Sequence, residues 1–164
     1  MSKRLDILRA SLEKKQRLFN DKLQNHSDTV KQANGQPLND KRNGGATLAR
    51  WERQNDSLRR LDESIQKTQD AIEREECTIR HVEETTAELP DPIRALIASG
   101  ELIQWRKYPN ICFVAGIEKA RIGWDERKKV VYHKFYDEIQ DEKQRKTFAH
   151  VYNTLYKQLK GMKS

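Results

Sequence analysis

The sequence predicts an α+β protein: a long antiparallel coiled-coil helical hairpin followed by a small antiparallel three- or four-stranded sheet covered by a C-terminal helix. Three observations carry this. Apolar residues recur at every seventh position through residues 46–89, runs rich in β-branched and aromatic residues follow between 102 and 135, and helical spacing returns after Glu138. A seven-residue repeat buries a narrow seam between helices, whereas short β-rich runs between turn residues form strands. The division is residues 1–89 as the hairpin, with its loop at 34–45, and residues 90–164 as a basic α+β head.

Composition agrees with narrow seams. Hydrophobic and charged residues each make up 35% of the chain, against about 45–50% and about 25% in ordinary globular domains. Such a chain cannot fill one large round core, but long helices need bury only a stripe.

The second helix gives the clearest pattern. Trp51, Leu58, Ile65, Ile72 and Ile79 fall seven apart, with Leu61, Val82 and Leu89 three residues after members of that set. The expected seam is Trp51, Leu58, Leu61, Ile65, Ile72, Ile79 and Val82. Gln54, Thr68 and Glu75 complete the second series, which is therefore the weaker one. In the first helix, over residues 3–33, Leu5, Leu8, Leu12 and Phe19 share a register with Lys15 in the gap; Leu23, Val30 and Ala33 point to a one-residue shift. His26, a seam position in the initial register, serves there to fix pairing. Between the helices the Gly-, Pro- and Asn-rich stretch from Asn34 to Gly45 breaks helix and returns the chain, with Gly44-Gly45 as a flexible hinge. Charge favours this pairing: residues 1–50 hold eleven Lys/Arg against five Asp/Glu, a net of +6, and residues 51–90 hold six against eleven, a net of −5. The second helix is the longer, so its seam from Ile79 to Leu89 needs another surface: the head, the C-terminal helix or a second copy of the chain. Self-association is expected for that reason.

Pro90-Asp91-Pro92 marks the boundary, with Pro90 ending the long helix, Asp91 as N-cap and Pro92 at the first position of a short helix that stops at Gly100. Strands are expected at Leu102 to Lys107, Ile111 to Ile117, Arg121 to Trp124 and Val130 to Phe135. In the closing helix, Glu138 to Lys160, the residues Phe148, Val151, Tyr152, Leu155 and Leu159 line one face that covers the sheet. Gly161 suits a C-terminal cap.

Catalytic and metal chemistry find no support in motif or spacing. No nucleophile elbow, phosphate loop or zinc-protease motif occurs. Cys77 and His81 share a helix face, but the heptad turns both outward and no second pair completes a tetrahedral site. The expectation is no metal, no cofactor and a non-enzymatic role; an enzymatic reading would begin with Tyr132, His133 and Asp137. Cys77 and Cys112 read as two thiols in a reducing compartment. The N-terminus lacks a signal-peptide apolar core, and the longest apolar stretch, Ile111 to Ile117, is too short to span a bilayer. A cytoplasmic protein with no membrane span is expected.

The head carries the most suggestive chemistry. Residues 101–135 hold eight Lys/Arg against four Asp/Glu. Basic residues interleave with aromatic ones, as on nucleic-acid surfaces, where cations neutralise phosphates and flat rings stack on bases. The candidate contacts are Arg106, Lys107, Tyr108, Lys119, Arg121, Arg127, Lys128, Lys129 and Lys134, with Lys41-Arg42 in the hairpin loop as a second contact. Trp105 and Trp124 belong either to that surface or to the core. The function expected is a nucleic-acid-binding accessory protein, DNA ahead of RNA. Its head would grip the phosphate backbone, and its coiled coil would pair with itself or recruit another helical protein. The alternative is a coiled-coil assembly subunit or adaptor without a nucleic-acid role.

Overall fold

A computed structural model describes residues 2–34 and 44–161. The chain forms two compact units, Met1–Cys77 and Thr78–Ser164. In chain order the elements are α1 (Lys3–Gln32), α2 (Gly44–Glu88), α3 (Asp91–Ser99), β1 (Leu102–Gln104), β2 (Ile111–Val114), β3 (Arg121–Asp125), β4 (Val130–Lys134), a 3-10 turn (Tyr136–Glu138) and α4 (Glu142–Gly161). The α+β class is as expected. Among the described residues, no helix is long and apolar enough to cross a membrane.

In the first unit α1 and α2 run antiparallel, with Ser2 bonded to Glu75 at one end and His26 to Gln54 towards the other. The seam keeps a seven-residue period on both helices. Along α1 it passes through half-buried Leu5, Leu12, Phe19, His26 and Ala33, and along α2 through Trp51, Leu58, Ile65 and Ile72. The one-residue shift expected in α1 does not occur. Leu23 is 46% exposed, and the original spacing runs on to Ala33 because polar partners hold it. His26 Nδ1 lies 2.9 Å from Gln54 Oε1, and Lys22 Nζ donates to Ser57 Oγ at 2.5 Å.

The weak second series of α2 has a physical account. Thr68 and Glu75 are buried and Gln54 is half-buried, and each meets a polar group of α1. Lys15 Nζ donates to Thr68 Oγ1 at 2.7 Å. Ser2 Oγ donates to Glu75 Oε1 at 2.9 Å, and Arg4 Nε stands 3.6 Å from Glu75 Oε2. Thr29 Oγ1 lies 3.2 Å from Gln54 Oε1. Polar layers of this kind add little net stability, but any slip of register leaves a buried donor or acceptor unmatched, at about 1–3 kcal/mol each. Gly44 and Gly45, expected as a hinge, are the first residues of α2. The loop contact proposed for Lys41-Arg42 lies outside the described residues.

In the second unit the four strands form an antiparallel meander in the order β1-β2-β3-β4. Cross-strand pairs Leu102↔Val114, Cys112↔Ile122 and Trp124↔Val131 set the register. Alternation then puts Leu102, Cys112, Val114, Ile122, Trp124 and Val131 on one face. Against that face lie Ile93 of α3 and Phe148, Val151, Leu155 and Leu159 of α4, all in one buried cluster. Trp124, 7% exposed, is therefore core. Leu89 joins the same cluster, and Thr86 Oγ1 lies 2.9 Å from Gln104 Oε1. The end of the α2 seam that needed another surface finds it in the head.

Two helix starts differ from expectation or extend it. Pro90 occupies the N-cap of α3 without a side-chain cap, and Asp91 is the first helical residue, paired with Arg94. Pro90 fits because a fixed φ near −65° suits the helix entrance. The segment after β4 is not helical from Glu138; it makes a 3-10 turn, and α4 starts at Glu142. Asp141 sets that start by accepting from the Lys143 amide at 3.2 Å and the Gln144 amide at 3.3 Å. Gly100, at φ 82°, ends α3 in the left-handed conformation that glycine adopts without a Cβ clash.

Candidate functional site

The second face of the sheet carries the residues that alternate with the core set: Ile103 on β1, Phe113 on β2, Arg121 and Gly123 on β3, and Tyr132 and Lys134 on β4. In a sheet covered on one side only, this face is ordinarily polar. Here it is aromatic and cationic. Ile103 is 56% exposed and Phe135, just past β4, is 45% exposed.

Arg121 sits at the centre. Its guanidinium carbon is 4.5 Å from the centroid of the Trp105 ring, 5.3 Å from Phe113 and 5.0 Å from Phe135. Each distance lies within the about 6 Å over which a ring's negative face attracts a cation. Arg121 Nε is buried and has no hydrogen-bond partner among the described residues. The rings thus hold the group by their quadrupoles, and its terminal nitrogens carry its remaining donors.

Local backbone chemistry builds the ring set. Between β1 and β2 the chain folds back through a tight turn: the Tyr108 amide donates to Trp105 O at 3.0 Å, and the Ile111 amide to Tyr108 O at 2.9 Å. That turn sets Tyr108 edge-on to Trp105, centroids 4.9 Å apart, and Trp105 in turn lies 5.8 Å from Phe113. Phe135 has φ 60°. A bulky side chain in the left-handed region costs of order 1 kcal/mol and persists only where surrounding structure enforces it. Here it lets β4 turn into the 3-10 segment, where the Glu138 amide donates to Phe135 O at 3.3 Å, and it leaves the ring against Arg121. Tyr132 lies across Gly123, where a Cβ would collide with the phenol ring. Lys107 Nζ is 5.4 Å from the Tyr108 centroid, and Lys134 Nζ is 5.6 Å from that of Tyr132.

The nine candidate contacts do not form one cluster. Arg121 and Lys134 are cross-strand partners on the ring-bearing face, and Tyr108 with Lys107 adjoins it through Trp105. Arg106 is exposed in the same β1–β2 turn. Arg127, Lys128 and Lys129 cap the β3–β4 hairpin, at the opposite end of those strands from Arg121 and Lys134. Asp125 Oδ1 accepts from the amides of Arg127 and Lys128, shaping the hairpin turn, and Lys129 pairs with Glu126. The hydrogen bond from Lys129, despite some desolvation, holds the Glu126 carboxyl below its usual range. Lys119 stands in the β2–β3 connection, in a shallow groove shared with Glu118, Glu138 and Asp141. Carboxylates therefore offset much of the positive charge at both of these turns.

Trp105, open in the sequence between that surface and the core, forms the ring set around Arg121 with Phe113 and Phe135, neither of which is among the nine candidates. The signal was present in the alternation: Ile103, Trp105 and Phe113 are apolar at positions that strand parity assigns to the uncovered face. Of the residues that an enzymatic reading would start from, Tyr132 and His133 are neighbours on β4 and face opposite sides of the sheet. His133 packs edge-on to Tyr152, Tyr136 and Phe148. Cys77 and His81 are both exposed on α2. Cys112 is buried beneath the sheet, and burial pushes its thiol up to about 11.

No family model, no curated protein and no solved structure matches this chain.

Proposed function

We propose that this chain is a non-enzymatic nucleic-acid-binding accessory protein, with DNA as the first target to test, and that the ring-bearing face of its head is the contact surface. The observation that carries the reading is the Arg121 guanidinium among Trp105, Phe113 and Phe135, with Lys107 and Lys134 over neighbouring tyrosines. Cations beside exposed rings match a ligand that alternates phosphates with flat bases. The hairpin's part is to pair with itself or with another helical protein. Ile7, 69% exposed, and Leu18, three turns further along α1, are the apolar positions such a partner would meet.

The test is fluorescence anisotropy of labelled DNA and RNA with the full chain across a salt series. Binding is expected to weaken steeply as salt rises, because bound cations displace counterions from phosphates. Replacing Lys107 and Lys134 together by Glu is expected to abolish it, with the helical circular dichroism unchanged. Absence of binding at low salt sinks the reading and leaves the alternative, a helical assembly subunit.

A further inference from the structure

We infer that the ligand of this face is single-stranded, with Tyr108 and Phe135 stacking bases on either side of an Arg121 that contacts phosphate. This rests on the nucleic-acid reading and narrows it. Tyr108 and Phe135 are the most exposed rings of the set, at 46% and 45%. Trp105 and Phe113 are half-buried and serve as walls around the guanidinium. A stacking ring needs a bare base face, and in a duplex those faces are covered by neighbouring pairs, whereas a single strand can splay its bases onto a sheet. A surface built to hold duplex by its backbone needs cations along the phosphates, and rings help there only by wedging between base steps and kinking the duplex.

The guanidinium supports the same assignment. With Nε buried beside the rings and without an acceptor among the described residues, Arg121 is held in orientation before any ligand arrives. Its planar fork suits the paired oxygens of a phosphate, which a lysine contacts only as a point charge. Lys107 and Lys134, each over a tyrosine ring, place further positive charge beside the stacking positions, where the backbone of a stacked strand would run.

The experiment compares labelled oligo(dT) with the same strand annealed to oligo(dA), using the full chain at one salt concentration. The single strand is expected to bind about tenfold more tightly or better. Phe135→Leu and Tyr108→Leu keep apolar bulk but remove the ring, and each is expected to weaken single-strand binding by about tenfold. The salt slope should stay the same, because that slope counts phosphates and not stacked bases. Arg121→Lys is expected to weaken binding although the charge is kept. Melting curves of all three variants identify any that fail to fold, and the duplex comparison needs no variant. Equal affinity for duplex and single strand, or folded ring variants that bind like the parent, overturns the single-strand assignment and leaves the broader reading standing. No binding of any nucleic acid at low salt overturns both.

Discussion

Lys15 of α1 reaches across the hairpin to Thr68 of α2, its ammonium 2.7 Å from the hydroxyl oxygen and 3.3 Å from the carbonyl of Ser64. A lysine in a largely apolar seam marks one of the polar layers that set pairing, beside those at Gln54 and Glu75. Replacing Lys15 and Thr68 together by Leu and Ile is expected to raise the melting temperature, since an apolar layer of similar volume usually equals or exceeds a buried polar one. Thr68→Val alone removes the shorter of the ammonium's two hydrogen bonds and is expected to cost about 1–2 kcal/mol. Thermal unfolding followed by circular dichroism measures both, and a destabilised double variant would count against this account of the seam.

The open face has one position where only glycine fits. A Cβ on Gly123 meets the ring of Tyr132 on the paired strand. Gly123→Val is expected to swing Tyr132 off the sheet and to destabilise the head by about 1–3 kcal/mol. Tyrosine fluorescence and a denaturant titration report the two effects separately. Gly123→Val combined with Tyr132→Ala should recover much of the loss.

Leu89 directly follows α2 and packs in the core of the head, 3% exposed among Ile93, Leu102 and Phe148. Leu89→Ala is expected to cost about 2–5 kcal/mol, the range for emptying a buried leucine site. Seam position Leu61, which is half-buried, should cost less. Denaturant midpoints of the two variants settle the order.

The two cysteines should differ sharply in reactivity. Cys77 is exposed and Cys112 is buried beneath the sheet with its thiol held up to about 11. A thiol reagent at neutral pH is therefore expected to modify Cys77 promptly and Cys112 only on unfolding. Because the folded value lies above the ordinary 9.0, the protonated thiol favours the fold. That contribution is complete below about pH 9 and is lost as pH rises towards 11. Cys112→Ser should flatten this alkaline loss, and an unchanged alkaline profile would show that other groups cause it.

The hairpin tip offers a contrast to the open face. Arg127, Lys128 and Lys129 replaced together by Glu are expected to weaken nucleic-acid binding less than replacing Lys107 and Lys134. Asp125 and Glu126 already offset the tip, which lies at the other end of β3 and β4. Anisotropy titrations of the two variants at matched salt decide which end of the sheet carries the contact.

Much of the architecture was legible because it depends on local repetition. The heptad of α2, the proline pair at 90 and 92, and the turn residues between strands each act over a few residues, and all four strands appear near their expected places. The shift at Leu23 does not occur because apolar side chains are not the only guide to register. In fact His26, Lys22 and Lys15 keep it through polar partners that lie far along the chain. The nine candidate contacts spread over three parts of the head, since charge density along a chain does not say which strand face a side chain takes.

By itself the sequence determined the two long helices, the meander, the covering helix and the basic character of the head, because periodicity and turn chemistry need no distant partner. Only the tertiary structure decided that Trp124 is core while Trp105 walls in Arg121. The same holds for the end of α2, which belongs with the head, and for the rings, which gather on one face. Those outcomes depend on cross-strand register and on which face α3 and α4 cover. Side chains brought together by strand pairing can lie dozens of residues apart, as Trp105 and Phe135 do, so no local pattern encodes their meeting.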